Sequence, residues 1–178
     1  MFRLGLILMT ICLAASLVLA ATYKITAPLI QAQKIDAEKE ALKEILPQAD
    51  DFLEKQLDNL IYYEAIKHNR TIGYVLKARS KGYSGNIDML VGIDRDGIIQ
   101  AVEILSQTET PGLGSRIVEV KQGQNKPWFL EQFKAKSATD LNMSDIQAIT
   151  GATISSRVVL EGVKEQAKIF LVAIKKVK

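Results

Sequence analysis

The chain contains 178 residues, 48% of them hydrophobic, and carries 23 Lys and Arg against 20 Asp and Glu. This length accommodates one ordinary domain plus an appendage and excludes a multidomain enzyme, and the apolar content excludes a chain that is disordered throughout. The single Cys excludes a disulfide framework and a Cys-rich metal or iron–sulfur site within this chain, and the single His leaves little material for a His-based site.

The N-terminus has the features of a membrane anchor. Twenty residues without a charge, 4–23, separate Arg3 from Lys24. At ~1.5 Å per residue, a helix of this length spans about 30 Å, the thickness of the hydrocarbon core of a bilayer. A cleaved signal peptide with its site at Val18-Leu19-Ala20 is the alternative, but the apolar run is longer than the roughly 7–15 residues of a signal core. We therefore predict a retained transmembrane helix over 1–23.

The charges that flank this run give a prediction of orientation. Arg3 and the terminal amine favour a cytoplasmic start. An N-terminal anchor with a basic start exports the residues after it, so we predict that residues 24–178 lie on the outer face, periplasmic or extracellular, of the cytoplasmic membrane.

The next segment, 24–60, is predicted to be a helical connector. Apolar residues recur at helical spacing up to residue 46: Ile35, Leu42, Ile45 and Leu46. Pro47 ends this helix or starts the next, because proline cannot donate a mid-helix hydrogen bond. A short second helix is suggested by four further apolar residues: Phe52, Leu53, Leu57 and Leu60.

From residue 61 the pattern changes to that of a separate domain, 61–178. Strands are predicted for 72–78, 87–93 and 98–105, with a loop at 81–85 between the first two. Asp96-Gly97 between two apolar runs indicates a hairpin, because glycine accepts the positive φ that the turn requires. Antiparallel strands followed by helices predict an α+β fold rather than a parallel sheet.

An irregular loop, 106–116, follows the third strand. Pro111, Gly112 and Gly114 give it a backbone that can approach a ligand closely. A plain strand-to-helix turn is the alternative, and on spacing alone it is favoured. Pro127-Trp128-Phe129 then opens a short helix.

The last helix is predicted from about Ser155 to Val177. It carries an apolar stripe suited to packing on the sheet: Leu160, Val163, Ala167, Phe170, Leu171 and Ile174. Lysines near its end suit the negative end of the helix dipole. They account for part of the net positive charge of the chain without a nucleic-acid partner, and the sequence contains no base-reading motif. Contact with anionic membrane lipid is a weaker interpretation of the same lysines.

The start of this helix has two interpretations. Thr153, Ser155 and Ser156 are hydroxyl residues that suit capping of the first-turn amides. A helix N-terminus with unpaired amides and a partial positive charge also suits a phosphate group. Residue physics alone favours capping.

The segment Thr150-Gly151-Ala152-Thr153, followed by Ile154-Ser155-Ser156, resembles the flavinylation motif of a family of covalent FMN-binding domains. Gly82-Tyr83-Ser84-Gly85 and Glu109-Thr110-Pro111-Gly112-Leu113-Gly114 also match that family. Together with the anchor, the combination resembles the G subunits of Rnf-type complexes, which couple ferredoxin and NAD to ion transport; the C subunit of sodium-translocating NADH:quinone reductase is a relative.

The resemblance implies an electron carrier that catalyses no chemical step of its own. It places FMN in a phosphoester with the hydroxyl of Thr153, attached by a flavin transferase, and implies other membrane and redox subunits as partners. The resemblance implies that Thr150, Gly151 and Ala152 shape the turn at which FMN is attached. It also implies that one loop lines the isoalloxazine ring: Glu109, Thr110, Pro111, Gly112, Leu113 and Gly114. No metal site is implied.

One position departs from the family pattern. Gln147 stands where the family usually has Asp, three residues before the motif, and it keeps hydrogen-bonding capacity without the charge. Two other functions remain open: a cofactor-free, membrane-tethered assembly or scaffold subunit in which Thr153 is only a helix cap, and an exported flavin-binding sensor or reductase component outside any such complex.

Overall fold

The computed structural model describes residues 2–57 and 60–177. It contains three α-helices and five strands within those residues: α1 (Phe2–Ile45), β1 (Asp51–Leu57), β2 (Leu60–Lys67), β3 (Arg70–Lys81), β4 (Asn86–Asp94), β5 (Ile99–Gln107), α2 (Trp128–Glu131) and α3 (Thr153–Val177). Short 3-10 helices occupy Gly114–Val118 and Met143–Asp145. The chain divides into two compact units, Met1–Lys39 and Glu40–Lys178.

The first unit consists of most of α1. Its apolar side chains are exposed along the charge-free run, and α1 is the one helix in the described residues that is long and apolar enough to cross a membrane. Hydroxyl groups in this run donate to backbone carbonyls four residues earlier, as Thr10 does to Leu6 and Ser16 to Cys12. Such internal bonds satisfy polar groups where no water is available.

The second unit is built on one antiparallel sheet with the strand order β1-β2-β3-β4-β5. Every strand pairs antiparallel with the next strand in sequence. The turn between β4 and β5 has Gly97 at a φ of +84°, and its amide donates to the carbonyl of Asp94. The predicted hairpin and the α+β fold are confirmed.

Both faces of the sheet are covered within the second unit. One face packs against α3, where Phe170 is fully buried between Tyr62 and Tyr74. The opposite face packs against the C-terminal turns of α1, where Leu42 and Ile45 are buried. The apolar stripe predicted for the last helix is confirmed. Packing of this stripe on the sheet positions the N-terminal end of α3 beside the loops that follow β3 and β5.

The short second helix predicted after Pro47 is wrong. Asp51–Leu57 forms β1, an edge strand that pairs along its length with β2. The side chains of β1 are mostly exposed. Its sequence lacks the period-2 alternation of apolar and polar residues by which a half-buried strand is recognised. Residues 58 and 59, inside the predicted second helix, lie outside the described residues. The first part of the prediction is confirmed, since α1 continues from the apolar run to Ile45.

Candidate functional site

Two loops and the first turn of α3 surround a cleft of about 440 Å³. The loops follow β3 and β5, and both reach the end of the sheet at which α3 begins. The cleft is lined by ten residues: Tyr83, Glu109, Thr110, Leu113, Gly114, Gly151, Ala152, Thr153, Ile154 and Ser155. A volume of this size lies within the about 300–1,000 Å³ typical of small-molecule sites.

The turn before α3 is held by the buried side chain of Ser156. Its Oγ accepts a hydrogen bond from the amide of Ile149 at 3.0 Å and donates one to the carbonyl of Ala152 at 2.9 Å. Gly151 has a φ of +79°, a backbone conformation that suits glycine. A Cβ at this position would lie 3.2 Å from Cδ2 of Leu113, so the turn and the Leu113 loop are in close contact.

The first-turn amides of α3 are unpaired. Within the residues that the structure describes, the amides of Thr153, Ile154 and Ser155 have no hydrogen-bond acceptor, and the first bonded amide is that of Ser156 to Ala152. Unpaired amides at the start of a 25-residue helix create a partial positive charge. The cleft therefore ends on a group of donors suited to an anion.

The hydroxyl residues at this helix start do not cap those amides. Ser155 and Ser156 are buried, and their hydroxyls bond to Glu109 and to backbone groups of the preceding turn. Thr153 is exposed, and in the described part of the chain its hydroxyl makes no hydrogen bond. Of the two interpretations of this segment, capping by these side chains is wrong.

Glu109 is a buried carboxyl group, only 5% exposed, that joins three segments. Its Oε1 accepts hydrogen bonds from the amides of Ser84 at 3.0 Å and Gly85 at 3.4 Å. Its Oε2 accepts the hydroxyl hydrogen of Ser155. The loop after β3, the loop after β5 and the first turn of α3 are thus bonded to one side chain.

This environment determines the charge of Glu109. Burial acts to raise its pKa, but the hydrogen bonds from Ser155 and from the backbone amides of the 83–85 loop outweigh burial, so the pKa lies below its ordinary value of 4.5. Glu109 is therefore a carboxylate at neutral pH. No lysine or arginine among the described residues forms an ion pair with it.

Gly114 leaves space for this carboxylate. A Cβ at Gly114 would lie 2.6 Å from both Oε2 of Glu109 and Oγ of Ser155, closer than nonbonded atoms approach. Any larger residue at this position would separate the two groups. Gly114 is thus required because Glu109 and Ser155 approach its Cα closely, and not because a turn demands a positive φ there.

The mouth of the cleft is apolar. Tyr83, Leu113 and Ile154 are 71%, 47% and 53% exposed, and all three line it. Large exposed apolar side chains that cluster around a concave surface are typical of binding sites. A planar ring at this position would have apolar contacts on its faces, and the residues that carry the unpaired amides of α3 line the same cleft.

The cleft brings together seven of the ten residues assigned to the site from sequence. They are Glu109, Thr110, Leu113, Gly114, Gly151, Ala152 and Thr153. Thr150, Pro111 and Gly112 do not line it, and all three are exposed. Gln147 does not line it either; its backbone exchanges hydrogen bonds with the side chain of Gln132.

Three lining residues have no site role in the sequence analysis: Tyr83, Ile154 and Ser155. The Gly82–Gly85 match is a usable signal for Tyr83. No sequence signal indicates that Ser155 bonds to Glu109, since 46 residues separate them. The described residues contain no group of three or more metal-ligating side chains.

A second cleft, of about 500 Å³, lies along β5 and contains Glu44, Glu103 and Lys126. Burial and the neighbouring carboxylate of Glu44 raise the pKa of Glu103. None of the motif residues lines this cleft. The cleft at α3 is therefore the better candidate for the functional site.

Two protein families match segments of this chain. The FMN-binding domain family matches residues 82–168, and the RnfG N-terminal region family matches residues 1–45. The chain is 38% identical to the G subunit of the proton-translocating ferredoxin:NAD(+) oxidoreductase complex of Clostridium ljungdahlii, over 86% of this chain and 83% of that protein. It is 33% identical to the G subunit of the Na(+)-translocating ferredoxin:NAD(+) oxidoreductase complex of Acetobacterium woodii, over 95% of this chain and 91% of that protein.

A solved structure is also similar. The C subunit of the Na(+)-translocating NADH-quinone reductase of Parabacteroides distasonis superposes with a TM-score of 0.48 at 22% identity, over 60% of this chain and 58% of that chain.

Proposed function

The chain belongs to the family of G subunits of ion-translocating ferredoxin:NAD oxidoreductase complexes, and we propose that it holds FMN covalently through a phosphoester to Thr153 and relays electrons between redox subunits of such a complex. The FMN-binding domain supports FMN as the cofactor. The covalent linkage is supported above all by Thr153, which is exposed in the cleft and whose hydroxyl makes no hydrogen bond to any described residue. The hydroxyls of Ser155 and Ser156, by contrast, are both hydrogen-bonded.

The described residues fit an FMN group. The amides of Thr153, Ile154 and Ser155 would hold the phosphate, because helix N-termini bind anions. The apolar mouth at Tyr83 and Leu113 would receive the ring system, and the volume of about 440 Å³ is large enough for a ligand of this class.

Thr153 acts as a nucleophile once, during maturation. Its Oγ attacks the flavin-side phosphorus of FAD presented by a flavin transferase, the phosphoanhydride bond breaks, AMP leaves, and the hydroxyl proton passes to the transferase or to solvent. The chain supplies the oxygen and the amides, and we assign no general base to it. Covalent attachment retains the cofactor on a face of the membrane where lost FMN would not readily be replaced.

After maturation, FMN supplies the redox chemistry, and the protein supplies position and environment. Leu113 would pack on the ring, since its side chain is exposed in the cleft and in contact with the turn at Gly151. Thr110 lies at the same opening, where its hydroxyl is within hydrogen-bond distance of Ser84, at 3.0 Å. These residues would set how closely a partner approaches the flavin.

Ion translocation belongs to other subunits of the complex. The run at 4–23 contains no Asp, Glu, Lys, Arg or His along which an ion could move, and intramembrane ion paths need such groups. The run would anchor the chain in the membrane as a single retained span, in contact with lipid and with membrane subunits. The second unit would stand on the outer face, where its flavin meets the redox partners.

In-gel fluorescence tests the covalent linkage, because only a covalently bound flavin remains with a denatured chain. The full chain is expected to fluoresce in the gel when it is coexpressed with a flavin transferase. It is expected to show no fluorescence when the transferase is absent. Thr153→Ser keeps the hydroxyl and is expected to retain the signal, whereas Thr153→Ala loses it. Thr139→Ala, outside the cleft, is the matched control and keeps it. A dark wild-type band would instead favour the cofactor-free scaffold.

A further inference from the structure

The start of α3 offers three aliphatic hydroxyls within four residues: Thr153, Ser155 and Ser156. All three are primary or secondary alcohols, with similar reactivity toward a phosphoanhydride. Ser156 is fully buried and does not line the cleft. Ser155 does line it, so the choice that the protein must make is between Thr153 and Ser155.

Burial contributes to that choice, because Ser155 is only 2% exposed whereas Thr153 is exposed, although both residues line the cleft. The specific restraint on Ser155 is its hydrogen bond to Oε2 of Glu109. A hydroxyl bonded to a carboxylate is held more strongly than one bonded to a neutral acceptor.

We propose that Glu109 is a positioning residue that directs flavin attachment to Thr153 by holding the hydroxyl of Ser155 out of reaction. This inference rests on the proposed attachment of FMN to the chain. Glu109 can hold Ser155 firmly because its other oxygen is fixed by the amides of Ser84 and Gly85. Gly114 adds to the restraint, since the absence of a side chain there lets the two groups meet.

The same pair has a second interpretation, in which the carboxylate would act as a base and activate Ser155. The hydrogen bonds from the backbone amides disfavour this role, because they stabilise the carboxylate and make it a weak base. The first interpretation gives a Ser155 that is never modified in the wild-type chain. The second gives a flavin on Ser155.

Peptide mapping by mass spectrometry distinguishes them, using the full chain coexpressed with a flavin transferase. Thr153 and Ser155 lie on one peptide, since no Lys or Arg separates them, so fragmentation must locate the flavin within it. Glu109→Ala removes the acceptor, and we expect FMN at Ser155 to rise from below detection in the wild type to about tenfold or more above that limit, as expected for the loss of a charge-assisted hydrogen bond. Glu109→Gln keeps an acceptor oxygen for Ser155 and is expected to restore modification at Thr153 alone. Glu119→Gln, at a partly exposed acid paired with Arg116, is the matched control.

A purely structural role for Glu109 would lower the total yield in Glu109→Ala and leave all remaining FMN on Thr153; that result would overturn the proposal. Thr153→Ala tests it with Glu109 intact, in case Glu109→Ala does not fold: Ser155 is expected to remain unmodified, and FMN on Ser155 would refute its restraint. If the wild-type chain carries no FMN, the proposed function itself fails; if it carries FMN on Thr153 and Glu109→Ala does the same, only the role of Glu109 fails.

Discussion

Thr153 and Glu109 illustrate two kinds of residue in the candidate site. The motif that ends in Thr153 is contiguous in sequence, so its resemblance to a flavinylation motif can be recognised without a structure. The same resemblance assigns Glu109 to the wall of the site. Its side-chain carboxylate bonds to residues 24–46 positions away along the chain, and no local pattern predicts such partners.

The depressed pKa of Glu109 predicts how stability depends on pH. A carboxyl group whose pKa is lower in the folded state stabilises that state above its ordinary pKa of 4.5 and loses this contribution as the pH falls through the folded value. Glu109→Gln should therefore reduce the free energy of unfolding at neutral pH, and the difference from wild type should shrink in acid. Urea unfolding of the full chain in detergent across this range measures it. A difference that is undiminished when the wild-type carboxyl is protonated would contradict the prediction.

At the scale of the elements, a strand is predictable from sequence only where its local pattern is clear. The hairpin of β4 and β5 follows from Asp96-Gly97 between apolar runs, and most of β3 follows from its apolar content. The sequence pattern predicts a helix where β1 lies and indicates no element for β2, although both strands belong to the sheet. Their pairing with β3 decides their conformation, and tertiary pairing of this kind is not visible in local periodicity.

The packing of α3 on the sheet can be tested at Phe170. This ring is fully buried, with its centroid 4.9 Å from each of the rings of Tyr62 and Tyr74. We expect Phe170→Ala to lower the free energy of unfolding by about 3–5 kcal/mol, because it leaves a cavity under the helix. Ile169→Ala, the exposed neighbour on the same helix, should change it by no more than about 0.5 kcal/mol. Similar losses in the two variants would contradict the packing described here.

At the scale of the whole molecule, the sequence indicates an anchor, a domain and the helix that covers one face of the sheet. It does not indicate that the C-terminal turns of α1 cover the opposite face through Leu42 and Ile45. Those residues are predicted to be helical and amphipathic, but a helix pattern does not specify the surface on which it packs. The boundaries 1–23, 24–60 and 61–178 remain predictions.

The side of the membrane on which the second unit lies is open to a labelling test. Cys12 is the single cysteine and lies in the apolar run, so Cys12→Ser gives a chain without a thiol. Adding Ser144→Cys at an exposed position then provides one site for a membrane-impermeant maleimide. We expect labelling of intact cells, or of spheroplasts where an outer membrane is present. Labelling only after lysis would place the domain in the cytoplasm. The Cys12→Ser chain without the added cysteine is the control for background.

The intact mass of the naturally matured chain tests the covalent flavin most directly. We expect the polypeptide, purified from cells that contain its flavin transferase, to exceed its amino-acid mass by one FMN phosphoester, and fragmentation to place that addition on Thr153. A chain with the mass of its amino acids alone would contradict covalent attachment, and with it the proposal that this protein carries electrons on a flavin bound at the start of α3.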